Sequence, residues 1–291
     1  MYKAIAANKR NTILIMALFV GLISAIGWVV SVYYGDSNIV YWVIGIAALY
    51  AILQYYIATG LATTVTGAQQ IEKKDNPRFY RIVENLAITT GMQTPRIYII
   101  DDPAPNAFAT GRDPKHSIVA ATSGLLDIMN DNELEAVMAH EMGHVQNYDI
   151  RVGMITFGLV SAIGLLTNIA LRMFIFGNNR DRDNNPIAMV IGIIVLILAP
   201  IVAAMVQMAV SRQREYLADA TSAMTTRNPE SLATALEKLL KLGRPMKRQD
   251  TSTSHLFITN PLKPGFMSKM FSTHPPLEER INRLRENANK F

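Results

Sequence analysis

In the heptapeptide Ala139–Val145, AHEMGHV, two of the chain's five histidines stand four residues apart, with a glutamate directly after the first. Four residues of α-helix turn through about 400° and rise about 6 Å, so His140 and His144 share a face and can converge on one ion. Glu141 then lies beside that ion rather than on it, where a carboxylate can take a proton from water. Zinc suits the pattern, since it accepts imidazole nitrogen and lowers the pKa of a water it holds from about 15.7 to about 7. The bland alternative is a solvated helix face that happens to carry two histidines; the spacing and the helical surroundings outweigh it. Asn132 with Glu135 three residues on reads as a capping pair, and Leu134, Val137, Met138 and Val145 supply an apolar stripe.

A catalytic zinc site keeps three protein ligands and an open position. The chain has no cysteine, which excludes a disulfide scaffold, a thiolate site and a cysteine nucleophile together. The third ligand must therefore be His, Asp or Glu. In SRQREYLADA, Glu215 and Asp219 are again four apart on a predicted helix. Glu215 can complete a His2Glu set while Asp219 accepts from a ligand histidine's other N–H and orients it. Equally, the two carboxylates can pair with Arg212 and Arg214 on an interfacial helix. Spacing leaves both open.

The elements that must carry these residues are unusually apolar. Half the 291 residues are hydrophobic and 18% are charged, with a mean hydropathy of +0.17. No charge occurs in 11–35, 37–71, 152–171 or 184–211, and each run meets the roughly 20 residues needed to cross a bilayer. Expected spans are about 12–34 and 39–59, joined tightly through Gly35–Asn38, and about 152–175 and 187–209. A secretory signal at the start is disfavoured by the long apolar run, which no small-residue cleavage site closes. Lys3, Lys9 and Arg10 before span one, and Lys73, Lys74, Arg78 and Arg81 after span two, put both ends of that hairpin in the cytoplasm, with Arg180 and Arg182 as a counter-signal. Nucleic-acid binding is not expected, for no basic patch is interleaved with aromatics. The site also needs an even number of crossings between His144 and Glu215.

The organisation expected is 1–59, N-terminal tail and first hairpin; 60–151, first part of a cytosolic domain; 152–211, second hairpin; 212–291, second part of that domain. Phe79, Ile82, Val83, Leu86 and Ala87 keep helical spacing up to Gly91, RIYIID and SIVAAT read as strands, and PNAFATGRDP between them reads as an edge or turn region. Asp149 is expected to end the motif helix at the membrane surface. His116 and His255 are assigned surface or packing roles, and Gly243–Phe271 reads as a long polar loop.

With DDPAPNAFATG, GLLDIMNDNELEAVMAHEMGHVQNYD, SRQREYLADA, THPPLEERI and four spans, the chain resembles the HtpX family of membrane zinc metalloproteases, relatives of the CAAX prenyl endopeptidases. The resemblance covers nearly the whole chain. It implies a mainly α integral membrane protein with four transmembrane helices and a cytosolic zincin-like α+β protease domain holding a small β-sheet. It implies one Zn2+ per subunit on His140, His144 and Glu215, Glu141 as base, and Asn106 and His274 as active-site donors. Physically, His274 can stabilise an oxyanion or simply precede the helix entry at Pro275–Pro276. The expected activity is cleavage of protein or peptide segments, paired as an added strand near Asn106–Ala109, in quality control of misfolded membrane proteins at the cell membrane. A prenyl-protein endopeptidase and a zinc-stapled scaffold without catalysis are the alternatives. Oligomeric state is left open.

Overall fold

The computed structural model describes residues 2–176, 212–250, 252–264 and 274–288. The expected span 187–209 lies outside them. Helix α1 (Tyr2–Tyr34) and helix α2 (Asn38–Thr66) form an antiparallel hairpin, with Gly35 at positive φ and the Asn38 N–H bonded to the Asp36 carboxylate. Ile5–Trp28 and Asn38–Thr66 are long and apolar enough to cross a membrane. Their outer faces expose Ile13, Leu14, Ile46, Leu49, Ile52 and Trp42, a surface that suits lipid and not water. Helix α2 runs seven residues past the expected end of span two. It stops where Gly67 takes the left-handed conformation and its N–H caps the last carbonyls.

Strand β1 (Gln69–Gln70) is followed by helix α3 (Pro77–Thr89), which Asn76 caps and whose face of Phe79, Val83, Leu86 and Ala87 is buried. Strands β2 (Arg96–Ile100), β3 (Ala107–Gly111) and β4 (Ser117–Thr122) complete a mixed sheet in the order β1-β2-β4-β3. Strand β2 pairs parallel to β4, whereas β3 lies antiparallel at the edge. NAFATG is thus a buried edge strand.

Both faces of the sheet are covered, which is why SIVAAT has no polar alternation. Ile97, Ala107, Ala109, Val119 and Ala121 join one core with α3 and helix α5 (Asp131–Gln146), which follows the short helix α4 (Ser123–Ile128). Tyr98, Ile100, Phe108, Ile118 and Ala120 point the other way. They pack with Ala58 and Ala62 of α2 and with Val152, Ile155 and Phe157 of helix α6 (Asp149–Phe176). Helices α2 and α6 therefore floor the sheet directly.

The cap of α5 lies two residues earlier than the expected Asn132 pair. Asn130, in extended backbone, accepts from the Glu133 N–H, and the Glu133 carboxylate returns to the Asn130 N–H. Helix α5 ends at Gln146, and Tyr148 takes a positive φ of 62°. Asp149 accordingly begins α6 instead of ending the motif helix. Beyond residue 211, helices α7 (Arg212–Thr226), α8 (Pro229–Leu242) and α9 (Leu277–Glu286) close over α5.

Candidate metal centre

The middle of α5 is buried on nearly every side, so His140 and Glu141 sit inside the protein. Helix α7 crosses α5 closely because residue 143 is glycine: a Cβ there would stand 3.3 Å from Thr221 Cβ and 3.4 Å from Ala218 Cα. The Ser222 hydroxyl, donating to the Ala136 carbonyl at 2.6 Å, fixes the helices in register. Glu215, one turn before Ala218, consequently faces the histidine pair.

One ligand atom each from His140, His144 and Glu215 lies within 4.8 Å of the others. The two Nε2 atoms are 3.2 Å apart, and the Glu215 oxygens are 3.5 and 3.7 Å from them. Ligands at about 2.1 Å from a tetrahedral ion stand about 3.4 Å apart, so the triangle has the right size. Its chemistry points the same way. His140 Nδ1 lies 2.9 Å from Asp219 Oδ1, and His144 Nδ1 lies 3.0 Å from Asp149 Oδ2. Carboxylates only accept, so each Nδ1 carries the proton and each Nε2 turns a lone pair inward. Lone pairs and a carboxylate converging at this spacing suit a cation, and Glu215 Oε2 is buried with no hydrogen bond although Arg280 Nη1 lies 3.2 Å away. These residues can hold a metal ion.

Electrostatics keep Glu215 ionised as a ligand must be, whereas His144 has to release a proton to present Nε2 to an ion. Burial opposes ionisation of Glu215, but His274, His144 and Arg280 hold it well below the usual carboxylate range. Burial also lowers His144, yet the Asp149 hydrogen bond and the charges of Glu215, Asp149 and Glu141 carry it up to about 9. Burial raises Glu141, partly offset by the two histidines. His274 Nδ1 lies 3.2 Å from Glu215 Oε1, and both His274 and Glu141 line the cavity over the histidines.

Sequence reasoning missed Arg280. It is fully buried in α9, its Nε and Nη2 clamp Asp219 at 2.9 and 2.6 Å, and its Nη1 lies 3.2 Å from Glu215 Oε2. Its signal was available: Leu277, Arg280, Ile281 and Leu284 have the spacing of one buried helix face. Asp149, read as a boundary, instead orients a histidine.

Asn106 stands apart from the cavity lining. Its Nδ2 donates to the Thr259 carbonyl at 2.9 Å, and its Oδ1 accepts from the Thr259 N–H at 3.2 Å. Alongside, the Ile258 N–H bonds the Ala107 carbonyl, Phe108 bridges Phe257, and the two phenyl rings meet edge to face at 5.1 Å. The expected polar loop is thus buried from Ser252 to Ile258 and makes a single antiparallel bridge to β3. His255, Leu256 and Ile258 roof the metal cavity. At about 50 Å³ this cavity has room for an ion and a few waters. A substrate strand at Ala107–Phe108 would have to displace Phe257–Thr259.

His255 is fully packed, its Nε2 donating to the Gly153 carbonyl at 3.0 Å, and burial pushes its pKa down to about 4. The folded state thus needs the neutral ring. Its contribution is whole above pH 6.5 and is lost as pH falls towards 4, on the order of 3 kcal/mol. Hydrogen exchange at Leu256–Thr259, corrected for intrinsic rates, is expected to quicken steeply over that interval, and His255→Gln to flatten the dependence. Equal slopes in both proteins would refute it.

Peptidase family M48 matches residues 73–288. The chain is 55% identical to a "Protease HtpX homolog" of Tropheryma whipplei (strain Twist), covering all of both chains. It is 43% identical to one of Lactobacillus acidophilus, over 98% of this chain and 99% of that one. A crystal structure of S. mikatae Ste24p is similar at 20% identity and a TM-score of 0.49, over 98% of this chain and 67% of the other. A metal-competent His-Glu-x-x-His helix, two helices fit for a membrane and full-length likeness to proteases agree: the chain is a metalloprotease of peptidase family M48, belonging to the HtpX group.

Proposed function

We propose that this metalloprotease is a zinc endopeptidase that cuts extended segments of membrane proteins on the cytosolic side, in the quality control of misfolded ones. The observation that carries the reading is the convergence of His140, His144 and Glu215 beside the buried Glu141. The three would hold one zinc per chain, which would supply a Lewis acid and an acidified water. Asp219 and Asp149 keep the two imidazoles in the tautomer that presents Nε2. Glu141, made more basic by burial, takes the proton of the attacking water and passes it to the leaving amine. His274 holds the oxyanion as it forms.

The Asn106 amide grips both polar groups of the Thr259 backbone. We assign it the same grip on a substrate strand, which takes the place of Phe257–Thr259 on β3. Such recognition reads backbone more than side chains, as a protease for damaged proteins requires. The basic residues around the first hairpin, and His144 and Glu215 lying side by side, support four spans with both termini and the domain cytosolic. On this reading the domain is assembled from 60–151 and 212–291.

Glu215→Ala tests the ligand set. The purified variant is expected to carry well under one zinc per chain while inserting in membranes with unchanged helical content. Unaltered zinc content would remove Glu215 from the set.

A further inference from the structure

Asn8 belongs to the second turn of α1, 141 residues from Asp149 in the chain, yet it is buried against the metal centre. Its Nδ2 donates to Asp149 Oδ1 at 2.6 Å and to the Asn147 carbonyl at 2.8 Å, while its Oδ1 accepts from Arg214 Nη1 at 3.2 Å. Two acceptors on one side and a guanidinium on the other settle which end of the amide is nitrogen. Asp149 uses its second oxygen for His144 Nδ1. An unbroken path therefore runs from the first membrane helix through one carboxylate to a ring whose other nitrogen faces the ion site.

Asp149 needs that hold. The neighbouring Arg214 Nη1 is 3.7 Å from Asp149 Oδ1, beyond hydrogen-bond length, so Asn8 provides the short bond at that oxygen. The Asn147 carbonyl it also binds belongs to the α5–α6 turn, where Tyr148 is left-handed and its ring lies between Lys9 and Arg151. One amide thus pins both the carboxylate and the turn that aims it.

We propose that Asn8 is a positioning residue for the metal centre, fixing the orientation and tautomer of His144 through Asp149, so that α1 is part of the site and not only an anchor. The inference rests on the proposed ligand set of His140, His144 and Glu215. Outer partners of metal-bound histidines are worth about tenfold or more in metal affinity, and a single bond further out the effect is about tenfold.

The test uses the full chain in detergent, loaded with cobalt(II), whose visible absorption reports ligand geometry. Asn8→Ala and the isosteric Asn8→Asp, which cannot donate to Asp149, are expected to change that spectrum and to release metal to a chelator about tenfold faster. Thr12→Val serves as control: it is buried one turn further on, and its hydroxyl bonds only the Asn8 carbonyl of its own helix. It is expected to match the parent in both measurements. Parent-like release and spectrum in Asn8→Asp overturn the proposal, as does an equal change in Thr12→Val, since either makes the contact ordinary packing. A parent that binds no cobalt overturns the ligand set itself, an outcome distinct from both.

Discussion

Glu141→Gln is expected to cut peptide-bond cleavage by about 10²- to 10⁴-fold, the usual worth of a positioned general base, while zinc stays at one per chain. The substitution keeps the shape of the side chain and removes only its capacity to take a proton. It sits beside the ligand triangle, in the cavity wall and almost wholly buried, where desolvation raises its pKa and so makes the ionised carboxylate a stronger base. Neither histidine depends on it for orientation, since their Nδ1 atoms face Asp219 and Asp149. Loss of turnover should therefore come without loss of metal. Casein cleavage and metal analysis on the same preparation decide the matter. Cleavage within a few-fold of the parent would place the base elsewhere, and loss of zinc would make Glu141 a ligand.

Arg280→Met is expected to destabilise the protease domain by about 3–5 kcal/mol, the cost of stripping one partner from a buried ion pair. That corresponds to a fall of about 10 °C in the unfolding midpoint. Methionine fills most of the stem's volume, so the loss is electrostatic. Asp219 and Glu215 are buried and depend on Arg280, among other partners, to stay ionised. Without the guanidinium, Asp219 keeps only the His140 contact, and Glu215 loses the arginine 3.2 Å from its Oε2. Adding Asp219→Asn to Arg280→Met should recover part of the midpoint, because the stranded charge goes with it. A midpoint within 2 °C of the parent in Arg280→Met would refute the clamp. Arg280→Lys retains charge but not the fork that grips both Asp219 oxygens, and is expected to fall between the two.

Together these predictions separate two layers of the site, one that reacts and one that holds it charged and aimed. The layers differ in how legible they are along the chain. His140, Glu141 and His144 could be read because a helix turn is a local object: spacing alone puts side chains on one face. Membrane helices could be read for a similar reason, since length and absence of charge are counted along the chain. The strand at RIYII and the helix at Pro77–Thr89 likewise follow from period and punctuation. Even here the cap of α5 fell two residues off, as Asn130 and Asn132 are equivalent in type and only the backbone angles choose between them.

What the sequence by itself determined, then, is a helical membrane protein carrying two histidines on one helix face, fit to hold a metal, with a glutamate beside them. The tertiary structure decided which distant groups lie against it: Glu215 beside the two histidines, Asp149 bonded to His144 and starting the next helix, Arg280 beneath them and Asn8 from the first helix. It also decided that Phe257–Thr259 lies along the edge of β3. The reason is physical: a buried polar group must find a partner, but its residue type does not say whose. That choice is made where elements far apart in the chain pack together, and no periodicity records it.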